Sequence, residues 1–143
     1  MQLDLCADLS GMSTRRAEFL AELDLRLPWG DLVALIEPHY LAPGTGRAPR
    51  PLEQMLRLLL VKEWWQASDA RAVEMAADSA AVAAFIGLPF GSRAPGQETM
   101  RRFARLVEEH RLWCQLEKVI AFTLARGGAA IVPGSISEPT LKR

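Results

Sequence analysis

"PLEQMLRLLLVKEWWQ", residues 51–66, is the stretch on which the fold turns. Wound as an α-helix, it places Leu52, Met55, Leu56, Leu59 and Leu60 on one side and Leu58, Val61 and Trp65 on another. A helix that is apolar around most of its circumference must have neighbours on most sides, so it belongs in the middle of a bundle. Pro51 suits its first turn, where the missing N–H leaves no hydrogen bond unmade. The Trp64-Trp65 pair at its far end is read as core filling, since large aromatics are usually covered. Adjacent helical positions point about 100° apart, so one of the pair is expected to be less covered than the other. A stacking platform for bases is the alternative reading of the pair.

The segments on either side carry single apolar stripes, as elements packed around such a centre should. Residues 14–27 align Phe19, Leu20, Leu23 and Leu27, with Pro28 beyond them; residues 30–37 align Leu32, Val33 and Ile36, with Pro38 as the expected stop. "LAPGTGRAPRP", 41–51, reads as a loop bearing Arg47 and Arg50. Ser68 or Asp69 suits a helix N-cap, and Asp78 or Ser79 suits the joint between two short alanine-rich helices that end at Gly87. "LPFGSRAPG" reads as a loop. A further helix follows with Met100, Phe103, Leu106 and Val107 on its apolar stripe. A last helix with Leu112, Trp113, Leu116, Val119, Ile120 and Leu124 stops at Gly127-Gly128. The expectation is an all-α, compact bundle of six or seven helices with a helix-turn-helix-like part, over residues 1–128. Leu56, Leu59, Leu60, Phe103, Val107, Leu116 and Ile120 should be buried. Residues 129–143 are expected to form an irregular tail, in which Ala129 to Val132 would be a strand without a partner.

The chain has 143 residues, the size of one domain, with 17 basic and 17 acidic side chains. Net charge therefore selects no partner. The charges are unevenly placed: residues 1–42 hold seven acidic groups and three arginines, while 43–143 hold fourteen basic and ten acidic groups. That shift is compatible with nucleic acid meeting the later part. Fourteen of the seventeen basic residues are arginine, which suits two-pronged contacts to phosphate or base edges; a GC-rich genome gives the same bias. Cys6, Cys114, His39 and His110 lack any local metal-ligand spacing. No metal or cofactor is expected; Cys114 reads as a core thiol and His110 as a surface residue near a helix end. The opening "MQLDLCADLS" is acidic and unlike a secretory signal, and the longest apolar stretch is too short to span a bilayer. A cytoplasmic chain with no membrane partner is the expectation.

"PGQETMRRFARLVEEH", 95–110, carries the candidate contact residues. Gln97, Arg101 and Arg105 lie at i, i+4 and i+8 on one line of the helix, with Arg102 beside them. Glu98 stands four before Arg102, and Arg105 four before Glu109, so both pairs can form surface ion pairs. Arg101 has no acidic neighbour at i−4 or i+4 and is expected to keep its charge for a partner. Gln97 and Arg101 sit in the first turns, where a recognition helix touches base edges, and a helix N-terminus favours phosphate. DNA contact and an ordinary solvated face both remain readings of this helix. The same holds for Arg47 and Arg50, as phosphate contacts or as solvated loop residues.

"FLAELDLRLPWGDLVALIEPHY" (19–40) and "GRAPRPLEQMLRLLLVKEWWQASD" (46–69), extended by "FARLVEEH" and "LARGG", resemble the amino-terminal helical domain of bacterial insertion-sequence transposases of the insertion-sequence-five DDE type. The resemblance covers about Arg16 to Ile136. It implies a helical, helix-turn-helix-like domain that binds the element's terminal inverted repeats. The implied DNA contacts are Gln97, Thr99, Arg101, Arg102 and Arg105, with Arg47 and Arg50 on phosphate. In that family a catalytic domain follows, whose two aspartates and glutamate hold two metal ions. This sequence departs from the pattern in three places. Pro95-Gly96-Gln97-Glu98-Thr99 stands where the family reads Pro-Asp-Glu-Thr-Thr, and Arg111 stands where it has glycine, which should weaken the break between the last two helices. Glu138 falls at the first catalytic aspartate, five residues before Arg143. A single carboxylate cannot build a two-metal site, so the expectation is a truncated, transposase-derived DNA-binding domain with no catalysis of its own. The other readings are a helical interaction module, pairing with a copy of itself or with a full-length transposase, and a remnant without a role.

Overall fold

The computed structural model describes residues 15–40, 50–134 and 138–143. Among them run seven helices and one short hairpin: α1 (15–26), α2 (Trp29–Tyr40), α3 (Leu52–Trp64), α4 (Asp69–Asp78), α5 (Ala80–Phe85), α6 (Gln97–Glu109), α7 (Trp113–Arg126), β1 (Ala130–Val132) and β2 (Thr140–Lys142). The all-α expectation holds. As its all-round apolarity requires, α3 lies at the centre, touching α2, α4, α5 and α6. Its Met55, Leu56, Leu58, Leu60 and Val61 are fully buried, and the seven residues expected in the core are all buried. Trp64 and Trp65 are both covered, because Phe19 of α1 meets each edge-on at 5.6 and 5.7 Å between ring centroids. No helix among the described residues is long and apolar enough to cross a membrane.

The helix ends show how the chain turns. Ser68 caps α4, its hydroxyl accepting from the Arg71 N–H at 3.0 Å, and Ser79 caps α5 through the Val82 N–H at 3.3 Å. Four helices close with the same paired bonds. At α5, Leu88 N–H donates to Ala83 and Gly87 N–H to Ala84; at α7, Ala129 donates to Leu124 and Gly128 to Ala125. At α3, Ala67 donates to Lys62 and Gln66 to Glu63; at α6, Leu112 donates to Val107 and Arg111 to Glu108. This closure puts one residue in the left-handed region. Gly87 and Gly128 do so at φ 74°, but Gln66 and Arg111 hold φ 51° and 52° with side chains attached. The α6–α7 break is thus fully formed with arginine at the turn, contrary to the expected weakening.

Two further expectations are corrected. Pro38 lies inside α2 rather than ending it; it forfeits a single bond in the last turn, and the helix runs on to Tyr40. The tail has regular structure: β1 pairs antiparallel with β2, Ile131 opposite Leu141. Its partner strand was missed because Thr140–Lys142 is too short to show a period.

Arg57 joins the layers in a way no local pattern announces. Its Nη1 donates to Asp24 Oδ1 at 2.6 Å and to the Phe85 carbonyl at 2.9 Å, and its Nε to Glu53 at 3.2 Å. The guanidinium lies 4.0 Å from the Trp29 ring centre. One side chain on α3 thereby fastens α1, the start of α2 and the end of α5. A planar cation is suited to this, offering donors at its edge and a face for the ring.

Candidate nucleic-acid interface

Helix α6 buries Met100, Phe103 and Val107 against the bundle, packs Ala104 and Leu106 half-buried at its edge, and turns its polar residues outward. Gln97, Thr99, Arg101, Arg102 and Arg105, five of the seven candidate residues, are all exposed; Gln97, Arg101 and Arg105 lie on one line, Arg102 beside them and Thr99 about 200° round from Gln97. Arg47 lies outside the described residues.

Arg50 does something other than wait in a solvated loop. Its Nη2 donates to the carbonyls of Arg93 and Ala94 at 2.9 and 3.2 Å, and its Nη1 to Gln54 Oε1 at 3.1 Å. The Arg50 carbonyl in turn accepts from the Tyr40 hydroxyl at 2.5 Å. Burial pushes the Tyr40 phenol above its ordinary value, against the opposing charge of Arg50. Tyr40 also meets Phe103 edge-on at 5.8 Å. Arg50 therefore ties the strand of chain just before α6 to the first turn of α3, and the aromatic pair braces α6 against α2. These contacts fix where the α6 N-terminus emerges.

The charges on the face are coupled. Glu98 accepts from Arg101 Nη2 at 2.6 Å and Nε at 2.9 Å, and from Arg102 Nε at 3.2 Å. The Arg101 hydrogen bonds outweigh the opposing desolvation and hold the Glu98 carboxyl well down, at about 2, with Arg102 adding to the effect. The Arg101 guanidinium is correspondingly raised, chiefly by its hydrogen bonds to Glu98. The expectation that Arg101 lacks an acidic partner is corrected: the partner is at i−3, a helical neighbour as good as i±4. The Glu98–Arg102 pair forms as expected. Arg105 forms no ion pair with Glu109 among the described residues. The side chains with most donor capacity left are Arg102, 77% exposed with both terminal nitrogens outside these bonds, and Arg105.

Elsewhere the sequence-derived candidates fall differently. Glu138 accepts from Arg16 Nε and Trp65 Nε1, both at 2.6 Å, while the Arg16 guanidinium lies over the Trp65 ring. Burial raises its carboxyl, but the hydrogen bonds from Arg16 and Trp65 and the charges of Arg16 and Arg71 prevail and hold it below its ordinary value. Both oxygens are spent on the fold. No group of three or more His, Cys, Asp or Glu among the described residues could hold a metal ion. Cys114 is exposed, not a core thiol: it lies two positions, about 200°, past the buried Leu112. His110 is a surface residue at the end of α6 as expected, yet it stacks on His39 with ring centroids 4.1 Å apart. That contact links the ends of α2 and α6, and chain separation concealed it.

Residues 8–106 match the family described as Transposase domain (DUF772). The match spans the greater part of the chain and includes the first ten residues of α6. No solved structure matches the chain.

Proposed function

The chain belongs to the Transposase domain (DUF772) family, and from that membership we propose that it binds DNA through the outer face of α6. The observation that carries this reading is the division of α6: Met100, Phe103 and Val107 are sunk in the bundle, while Gln97, Arg105 and Arg102 follow one another round its solvent side, with Thr99 at the far edge. Such a helix can lie in a major groove with arginine forks toward guanine edges or phosphates. Packing of α4 against α6 supports a helix-turn-helix-like arrangement. The DNA is the terminal inverted repeat of an insertion sequence, as the resemblance to the amino-terminal domain of insertion-sequence-five-type enzymes suggests. Its role is recognition without strand transfer, since Glu138 is occupied by Arg16 and Trp65.

Arg102 and Arg105 are the principal contacts in this reading. Arg101 serves as a charge held in place by Glu98, and Arg50 as a positioning residue. The test is binding of the purified chain to terminal inverted repeats of insertion-sequence-five-type elements and to scrambled duplexes of equal length. Preference for the repeats, reduced about tenfold or more by Arg102→Ala or Arg105→Ala, is expected. Equal affinity for both duplexes, or no response to either substitution, rejects the reading.

A further inference from the structure

We infer that the groove between the start of α2 and helix α7 is the contact surface for a second copy of this chain. Exposed large apolar side chains among the described residues are Leu25, Phe90, Phe122 and Val132. Of these, Phe122 lines a groove of about 870 Å³, with Pro28 and Asp31 from the α2 corner and Lys118, Val119 and Arg126 from α7. Lys118, Phe122 and Arg126 lie at i, i+4 and i+8, one line along the helix. Phe122 is 66% exposed, with the Arg126 guanidinium 5.8 Å from its ring centre. A phenyl group held at the lip of a groove able to take another phenyl group is a surface with an apolar partner missing.

The charges identify that partner. Asp31 stands on the α2 side, and Lys118 and Arg126 on the α7 side. None of the three forms an ion pair among the described residues. A surface that meets a copy of itself about a two-fold axis must carry each feature together with its complement. Here a two-fold axis along the groove lays α7 of one copy over the α2 corner of the other. Phe122 then covers Pro28 of its partner, and Lys118 and Arg126 come opposite the partner's acidic Asp31. A partner of a single charge sign would leave one side of the groove unmatched. The proposal stands apart from DNA binding, since α6 contributes nothing to this groove.

Sedimentation velocity of the full chain without DNA, over a roughly hundredfold concentration range, is the test. Expected is a reversible shift from one to two chains' mass, weakened at least tenfold by Phe122→Glu with an unchanged melting temperature at the dilute, single-chain end of the range. Asp31→Arg should weaken association as well, and adding Lys118→Glu and Arg126→Glu to it should restore it. A single-chain mass at every concentration, association indifferent to Phe122→Glu, or failure of the charge reversal to restore pairing overturns the assignment.

Discussion

Glu98 grips Arg101 with both oxygens, Oε1 2.6 Å from Nη2 and Oε2 2.9 Å from Nε, at the first turn of the helix proposed to meet DNA. The carboxylate thus tempers the basic face it helps to order. Glu98→Gln should remove a negative charge facing phosphate and release both arginines. DNA affinity should rise a few-fold at low salt, with the gain shrinking as salt is added. A binding isotherm indistinguishable from the parent's would mean that Arg101 and Arg102 do not approach the nucleic acid.

The same clamp sets a pH dependence. The Glu98 carboxyl is lowered from 4.5 to about 2. Its contribution to the folded state is therefore present above the unfolded value and lost as pH falls through about 2. Between pH 5 and 8 the clamp stays charged, and DNA binding should show no step from it. A carboxyl-detected NMR titration should place the Glu98 midpoint well below 4.5; a midpoint at the ordinary glutamate value sinks the clamp.

Arg111 and Gln66 occupy turn positions that glycine fills at the ends of α5 and α7. Side chains in the left-handed region are strained by about 1–2 kcal/mol, partly offset because glycine gains entropy on unfolding. Arg111→Gly should accordingly stabilise the chain by about 0.5–1 kcal/mol. Gly128→Ala should destabilise it by about 1 kcal/mol through backbone strain alone, because a Cβ there meets nothing within 4 Å. Thermal unfolding followed by circular dichroism decides both signs.

Glu138 anchors the tail to α1 and α3 through Arg16 and Trp65. Glu138→Gln should destabilise by about 1–2 kcal/mol, since a part-buried arginine loses its charged partner. The Glu138 carboxyl is held below its ordinary value, so the contribution is present above the unfolded value and fades as pH falls below it. The gap between parent and variant in urea unfolding should therefore be widest near neutrality and close in acid. Magnesium should leave the melting temperature of both unchanged.

Arg57→Lys tests the central fastening. An ammonium cannot reach Asp24, Glu53 and the Phe85 carbonyl together while staying over the Trp29 ring. A loss of about 1–3 kcal/mol is expected in denaturant unfolding. A loss under a few tenths of a kcal/mol would show that the contacts around Arg57 contribute nothing net.

What was legible in the sequence was what repeats within one or two turns. The stripe Leu56, Leu59, Leu60 and the stripe Met100, Phe103, Val107 announce helices because side chains three and four apart share a face. The central place of α3 follows from apolar residues on its remaining sides. Ser68 and Ser79 announce caps because their hydroxyls reach an N–H three residues on. Even Glu98–Arg101 is encoded locally, at a spacing of three.

By itself, then, the sequence determined the helices, their inward faces and the central element, because those rest on the period of the backbone and the apolar residues placed on it. The tertiary structure decided which of Arg16, Arg50 and Arg57 are spent on fastening the fold. Arg57 meets Asp24 across 33 residues, Arg50 meets Arg93 across 43, and Arg16 meets Glu138 across 122. The pairing of β1 with β2 and the stacking of His39 on His110 belong with these. Contacts between distant residues arise only when packed helices bring their ends together, and no local spacing encodes them. An arginine in a loop and an arginine fastening two elements look alike in the chain. They differ in the carbonyls and carboxylates that the fold brings within hydrogen-bond distance.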